Sequence, residues 1–119
     1  MTPNETHVGK EGFAVKVSSG KAALVTGATD IPIGVILDGE DTAGNSSVAV
    51  CELPGGTVRV KLDGTPGTVA VGTYLTITAT GTFKADAGSG SRVQCARALQ
   101  SGAANELIEA ILFKPASLS

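Results

Sequence analysis

The sequence predicts an all-β fold: a small single-domain β-barrel or β-sandwich of short antiparallel strands, with a flexible N-terminal arm. The first observation is a period of two within residues 56–85, where Val58, Val60 and Leu62 alternate with polar residues, as in a half-buried strand. The second is turn chemistry, because glycine occurs 16 times in 119 residues, about twice its usual share. The third is that 42% of the residues are hydrophobic but only 3% are aromatic. We therefore expect one domain with a core of Val, Ile, Leu and Ala.

The first half of the chain predicts four strands. Residues 13–17 and 22–25 are apolar-rich runs on either side of a four-residue turn, 18–21, which predicts a hairpin. Residues 33–37 are nearly all apolar, so this strand is expected in the centre of a sheet with both faces buried. After a polar, acidic loop, residues 47–53 predict the fourth strand, which ends at a Pro-Gly-Gly turn.

The middle of the chain predicts the rigid centre of the domain. Val58, Val60 and Leu62 are expected on the buried face of one strand. The polar residues of the same strand form its solvent face: Thr57, Arg59, Lys61 and Asp63. Three further β-rich runs follow, separated by glycine turns: residues 68–71, residues 74–78 and a run that begins at Gly81.

The C-terminal segment is consistent with two interpretations. Residues 92–99 predict a strand, and residues 100–105 a connection. In residues 106–113 the apolar residues fit a helical spacing, and Ala, Glu and Leu favour a helix. The same residues also alternate as in a strand, and the surroundings are rich in strands and lack a good helix N-cap. We predict a strand that ends at Lys114-Pro115.

The chain divides into an arm (residues 1–11), a β-rich domain (residues 12–115) and a C-terminal tail (residues 116–119).

A net charge of −2 with dispersed Lys and Arg leaves no basic stripe for nucleic acid. No apolar run reaches the about 18 residues that a membrane span needs, and we expect no signal peptide. Cys51 and Cys95 each lie in a strand-like run and are expected to be buried, reduced thiols.

The polar residues do not predict an active site. His7 is the only histidine and lies in the arm, which does not supply the rigid geometry that a catalytic base needs. One histidine and two separated cysteines do not provide a full set of strong zinc ligands. The acidic residues 38–41 lack the spacing of a helix–loop–helix calcium site. We therefore expect a protein that is not an enzyme and that binds no cofactor or metal.

Several segments occur in an order that resembles a known family. They combine glycine with β-forming residues: 12–15, 33–39, 55–61, 71–76 and 98–109. Their order, the chain length and the arm in front resemble the small capsid cement, or head decoration, proteins of tailed bacteriophages. The resemblance covers about residues 12–113. In such proteins the last segment is strand–turn–strand, which agrees with the strand predicted over residues 106–113.

The resemblance implies a compact β-rich body, usually a homotrimer, on the outer surface of the expanded capsid at local threefold positions. The partners would be the major capsid protein and further copies of this chain. The location would be the virion, after synthesis in the host bacterial cytoplasm, and the function would be to stabilise the head against the pressure of packaged DNA. An arm that becomes ordered on binding would contact the coat protein, with Lys10 and Gly12 as its hinge. The expected contact residues are Thr2, Pro3, Asn4, Glu5, Thr6, His7 and Val8.

Two alternatives remain open. The arm is also consistent with an ordinary disordered terminus. The domain is also consistent with a β-barrel binding module for a host surface or a carbohydrate. Sugar sites usually stack their ligand on exposed aromatic side chains, and the chain offers few of these: Phe13, Tyr74, Phe83 and Phe113.

Overall fold

The computed structural model of the chain describes residues 10–38, 49–52, 56–64 and 68–119. These residues form strands and no helix, so the all-β prediction is confirmed. The described residues accordingly contain no helix long and apolar enough to cross a membrane. The strands are β1 (Ala14–Ser18), β2 (Lys21–Leu24), β3 (Gly34–Asp38), β4 (Ala49–Glu52), β5 (Thr57–Lys61), β6 (Thr68–Val69), β7 (Tyr74–Ile77), β8 (Phe83–Ala85), β9 (Arg92–Ala98), β10 (Gly102–Ala103) and β11 (Leu107–Leu118). Arm residues 1–9, acidic-loop residues 39–46 and the side chain of Cys51 lie outside the described part.

Two antiparallel sheets carry the core. One has the strand order β2-β1-β3-β4 and the other β5-β11-β9-β7-β8, while β10 pairs separately with β6. A single bridge between Leu62 and Phe83 joins the ends of the two edge strands of the five-stranded sheet. The N–H of Asp63 also donates to the carbonyl oxygen of Phe83, at 2.8 Å. The five-stranded sheet therefore curls until its edges meet at one end, as in a partly open barrel.

The first hairpin has a tighter turn than predicted. Its register pairs Ser18 with Lys21, so the connection is Ser19-Gly20 and not the four residues 18–21. Both turn residues have positive φ, 52° for Ser19 and 75° for Gly20. Positive φ at both central positions is the mark of a type I′ turn, whose twist matches that of the flanking strands. The four-residue prediction was wrong because Ser-Gly was not recognised as a complete turn.

The core confirms the predicted faces of β3 and β5. β3 lies between β1 and β4, and Val35 and Ile36, which point to opposite faces, are both fully buried. On β5, Val58 and Val60 are buried while Thr57 and Arg59 are exposed. One apolar cluster collects side chains from both sheets: Ala14, Val25, Val35, Val58, Val60, Leu62, Val69, Leu75, Ile77, Phe83, Val93, Cys95, Ala96, Ala98, Ile108, Ala110 and Leu112.

The C-terminal strand is a strand, as predicted, but it is longer than predicted. β11 pairs with β5 through Leu107 to Ile111 and with β9 on its other side. The expected end at Lys114-Pro115 is wrong, and so is the separation of residues 116–119 as a tail. The register shifts between Leu112 and Ala116, after which Ala116–Leu118 pair with β9 again. Pro115 lies inside this irregularity, where its missing N–H breaks no ladder hydrogen bond.

Two carboxylates hold loops against the sheets. The pKa of Asp30 is lowered, first by a hydrogen bond from the Lys16 ammonium at 2.9 Å and then by the N–H of Thr26. Burial raises the pKa of Asp86, but hydrogen bonds from Arg92 and other donors outweigh burial, so this pKa is also lowered. Both side chains are therefore ionised at neutral pH and contribute to the fold in that form.

Candidate functional site

The root of the N-terminal arm is a tight turn at Lys10–Phe13. The N–H of Phe13 donates to the carbonyl oxygen of Lys10 at 3.1 Å, and Gly12, the third residue, has a φ of 85°. This combination is a type II turn, which requires positive φ at that position. The Lys10 ammonium lies 4.9 Å from the centre of the Phe13 ring, a cation–π contact. The predicted hinge at Lys10 and Gly12 thus coincides with a hydrogen-bonded turn.

Gly12 connects the two sheets through its backbone. Its N–H donates to the carbonyl oxygen of Ile36 on β3 at 2.9 Å, and its own carbonyl oxygen accepts from the N–H of Lys61 on β5 at 3.0 Å. A Cβ at this position would lie 2.6 Å from the Lys61 nitrogen and 2.5 Å from a Leu107 methyl group. Only glycine fits here, and the arm therefore leaves the body from a point fixed to both sheets.

A cleft opens directly beside this turn. Its volume is about 320 Å³, and it is lined by Glu11, Ile36, Thr57, Val58, Arg59 and Glu109. Glu11 and Arg59 form an ion pair at 2.8 Å across its rim. Their side chains are 40% and 59% exposed, so water screens the pair and its contribution to stability is at most about 1 kcal/mol. The cleft thus has an apolar floor and a charged rim next to the origin of the arm.

The edge of β5 is covered at one end and open at the other. The bonds from the Leu62 N–H to Glu106 and from the Leu112 N–H to Gly56 show that even-numbered residues of this strand face β11. The odd-numbered residues therefore direct their N–H and C=O groups outward. Gly12 covers Lys61 on that side, but no described residue forms a backbone hydrogen bond to the outward groups of Thr57 and Arg59. Such an edge can accept an extended strand.

The outer face of the five-stranded sheet carries exposed apolar and aromatic side chains. The pairing of the adjacent strands aligns four residues in one row across β5, β11, β9 and β7: Thr57, Ile111, Arg97 and Tyr74. Tyr74 meets Phe113 edge to face, with ring centres 6.1 Å apart. The Arg97 guanidinium lies 5.2 Å from the Tyr74 ring centre and donates to the carbonyl oxygen of Gly72 at 3.1 Å. We use "outer sheet face" for Tyr74, Arg97, Leu99, Glu109, Ile111 and Phe113.

The described residues contain no group of three or more His, Cys, Asp or Glu side chains that could hold a metal ion. Cys95 is a free thiol in the core, as predicted, and burial raises its pKa to about 12. The thiol therefore stays protonated at neutral pH and is a poor nucleophile. The predicted contact residues of the arm, Thr2 to Val8, lie outside the described part. The arm root was predicted as a hinge, but its bonds to both sheets, the cleft and the outer sheet face depend on long-range pairing and were not identified from the sequence.

No protein-family model matches the chain, and no curated protein matches it significantly.

Proposed function

We propose that this chain is a capsid decoration protein of a tailed bacteriophage. Three copies sit on the outside of the expanded head, and their N-terminal arms add as strands to exposed sheet edges of the major capsid protein. Binding only to the expanded lattice stabilises that lattice by about RT ln(1 + [L]/Kd) per site. The protein then acts as a cement that resists the pressure of packaged DNA, without enzymatic activity and without a cofactor.

The observation that supports this proposal best is the fixed arm root. Because Gly12 is hydrogen-bonded to both sheets, the turn at Lys10–Phe13 is fixed to the body at the point where the arm begins. Residues 1–9 span about 30 Å when extended, enough to reach across a neighbouring subunit surface. Main-chain hydrogen bonds made by such a segment supply affinity without requiring special side chains. A rigid body that presents a short arm at a defined place fits a clamp better than it fits an enzyme.

The first test uses shells assembled from the major capsid protein of the proposed phage. The full chain is mixed with expanded and with unexpanded shells, and bound protein is measured by sedimentation. We expect binding to expanded shells and a rise in their disruption temperature. Deletion of residues 2–8 should abolish binding and leave the far-UV circular dichroism of the body unchanged. A full chain that neither binds nor raises the disruption temperature would refute the cement function.

A second pair of variants tests how the arm binds. Successive residues of a strand direct their N–H groups to opposite sides, so replacing both Thr6 and His7 by proline removes at least one N–H that a strand pairing would use. The matched control replaces the same two residues by alanine, which keeps both N–H groups. Strand addition predicts weak binding for the proline variant and near-normal binding for the alanine variant. Equal binding of the two would contradict strand addition while leaving the cement function itself open to the deletion test.

The alternative of a carbohydrate or host-surface module has less support. Among the described aromatic residues, Tyr74 is the one that is well exposed, at 45%. Arg97 lies over that ring and Phe113 packs against it, so a sugar would have to displace the guanidinium to stack there. Direct binding to a glycan library, unaffected by deletion of the arm, would favour this alternative.

A further inference from the structure

The outer sheet face has the composition of a protein interface although nothing in the described chain covers it. Six large hydrophobic side chains are exposed among the described residues, and four of them lie on or beside this face: Val71, Tyr74, Leu99 and Ile111, which are 41% to 64% exposed. Val71 belongs to the turn that carries Gly72, the residue that Arg97 contacts. Tyr, Phe and Arg are among the side chains that are enriched in protein interfaces.

Ile111 places an uncharged side chain on β11, the second strand of the sheet. Thr57 on the edge strand β5 flanks it on one side and Arg97 on the central strand β9 on the other, and Tyr74 follows beyond Arg97. Neighbouring strands lie about 4.8 Å apart, so the four gaps between the five strands place the axes of the two outer strands about 19 Å apart. An interface that buries about 800 Å² per partner is about 30 Å across. The sheet therefore supplies about two thirds of that width.

The charges indicate which partner fits. Arg97 and Glu109 both lie on the face, and neither has an ion-pair partner among the described residues. A second copy of this chain brings both an acidic and a basic group, so Arg97 of one copy can meet Glu109 of the next. Around a threefold axis, residues on the axis contact their own counterparts, where like charges would repel. Ile111 is uncharged and can occupy that position without such repulsion.

We propose that the outer sheet face, which includes Ile111, is the surface through which copies of this chain associate. This inference rests on the proposed function in that it locates the interface of its trimer. It leaves the arm and the open edge of β5 available to the coat protein. The association of copies is measured without shells. A negative result for this interface can therefore be distinguished from a failure of the proposed cement function.

The test is the mass of the full chain in solution, measured by light scattering after gel filtration and by analytical ultracentrifugation. We expect an oligomer for the unmodified chain. Ile111→Asp should weaken association at least about a hundredfold, because an unpaired carboxylate is desolvated in the interface. The control is Val17→Asp on the four-stranded sheet, at a site that is 52% exposed. A monomeric unmodified chain would overturn the proposal, as would association by a folded Ile111→Asp variant equal to that of the control.

Reversing the charges of Arg97 and Glu109 tests the same face with variants that keep its exposed positions polar. Arg97→Glu and Glu109→Arg should each associate weakly alone, and an equimolar mixture of the two should associate more tightly than either. Within one described chain these two side chains form no ion pair, so recovery on mixing reports contact between copies. No recovery on mixing, together with normal association of each variant alone, would rule out this face as the interface.

Discussion

Replacing Gly12 by alanine tests the fixed arm root most directly. The φ of 85° at this position costs a non-glycine residue about 1–2 kcal/mol. The added Cβ would also lie 2.6 Å from the Lys61 nitrogen and 3.1 Å from the Val60 carbonyl carbon. These atoms belong to the backbone of β5 and cannot move aside as a side chain could, and overpacking of this kind costs about 1–3 kcal/mol. We therefore expect Gly12→Ala to lower the free energy of unfolding by about 2–5 kcal/mol.

Gly20→Ala is the matched control, because Gly20 has a φ of 75° but has nothing within 4 Å of the place that a Cβ would occupy. Gly20→Ala should lower the free energy of unfolding only by the cost of positive φ in a non-glycine residue, about 1–2 kcal/mol. Urea unfolding followed by circular dichroism at 25 °C measures both, and an unchanged slope with denaturant confirms that the comparison is of stability alone. If the two variants lose the same free energy, the contacts of Gly12 with β5 are not close enough to matter, and the arm root is not fixed as described.

Three shorter predictions concern the body. Val60→Asp should unfold the body, because it would place an unpaired carboxylate in a fully buried position. If circular dichroism shows that the variant is folded, the assignment of Val60 to the buried face of β5 is wrong. Thr76→Val should raise the free energy of unfolding in urea by about 1 kcal/mol, since the Thr76 hydroxyl is buried without a hydrogen-bond partner among the described residues. A clear decrease in the free energy of unfolding would show that the hydroxyl does form a hydrogen bond. The contribution of Asp30 and Asp86 to stability should be constant above about pH 5 and fall progressively below it, because both have a lower pKa folded than unfolded and lose their favourable interactions when protonated. Melting of the unmodified chain and of Asp30→Asn from pH 7 to pH 3 measures this, and a variant with the same acid dependence would contradict the role of Asp30.

Local sequence pattern predicted the strands and their faces well. The period of two that begins in β5 depends only on which residues are apolar, so Val58, Val60 and Leu62 could be assigned to the core without knowing their partners. The errors came where pattern and backbone geometry conflict. Pro115 normally ends a strand, but an irregularity in pairing with β9 accommodates it. Ser19 gives no strong signal for positive φ, so the two-residue turn was missed.

The candidate site could not be predicted because its parts come together through long-range pairing. Gly12 was identified as a hinge, but its bonds to Ile36 and Lys61 depend on how the two sheets pack. The row that contains Arg97 and Tyr74 depends on the register of three strands that are far apart in sequence. A shift of one residue in any of them would move these side chains to the opposite face.

The arm and the outer sheet face make different contributions to binding, and their combination yields a further prediction. If each arm binds one coat site and the outer sheet face joins the arms of several copies, then a monomeric Ile111→Asp variant keeps the arm contact and loses only the gain from linkage. That gain is about a hundredfold to ten-thousandfold in apparent affinity when geometry permits simultaneous binding. Titration onto expanded shells should therefore show weak, saturable binding for Ile111→Asp, tight binding for Val17→Asp and none after deletion of residues 2–8. Binding of Ile111→Asp as tight as that of the control would mean that one arm, or a surface of the body, carries the whole affinity, and the association of copies would then have no role in holding the protein on the shell.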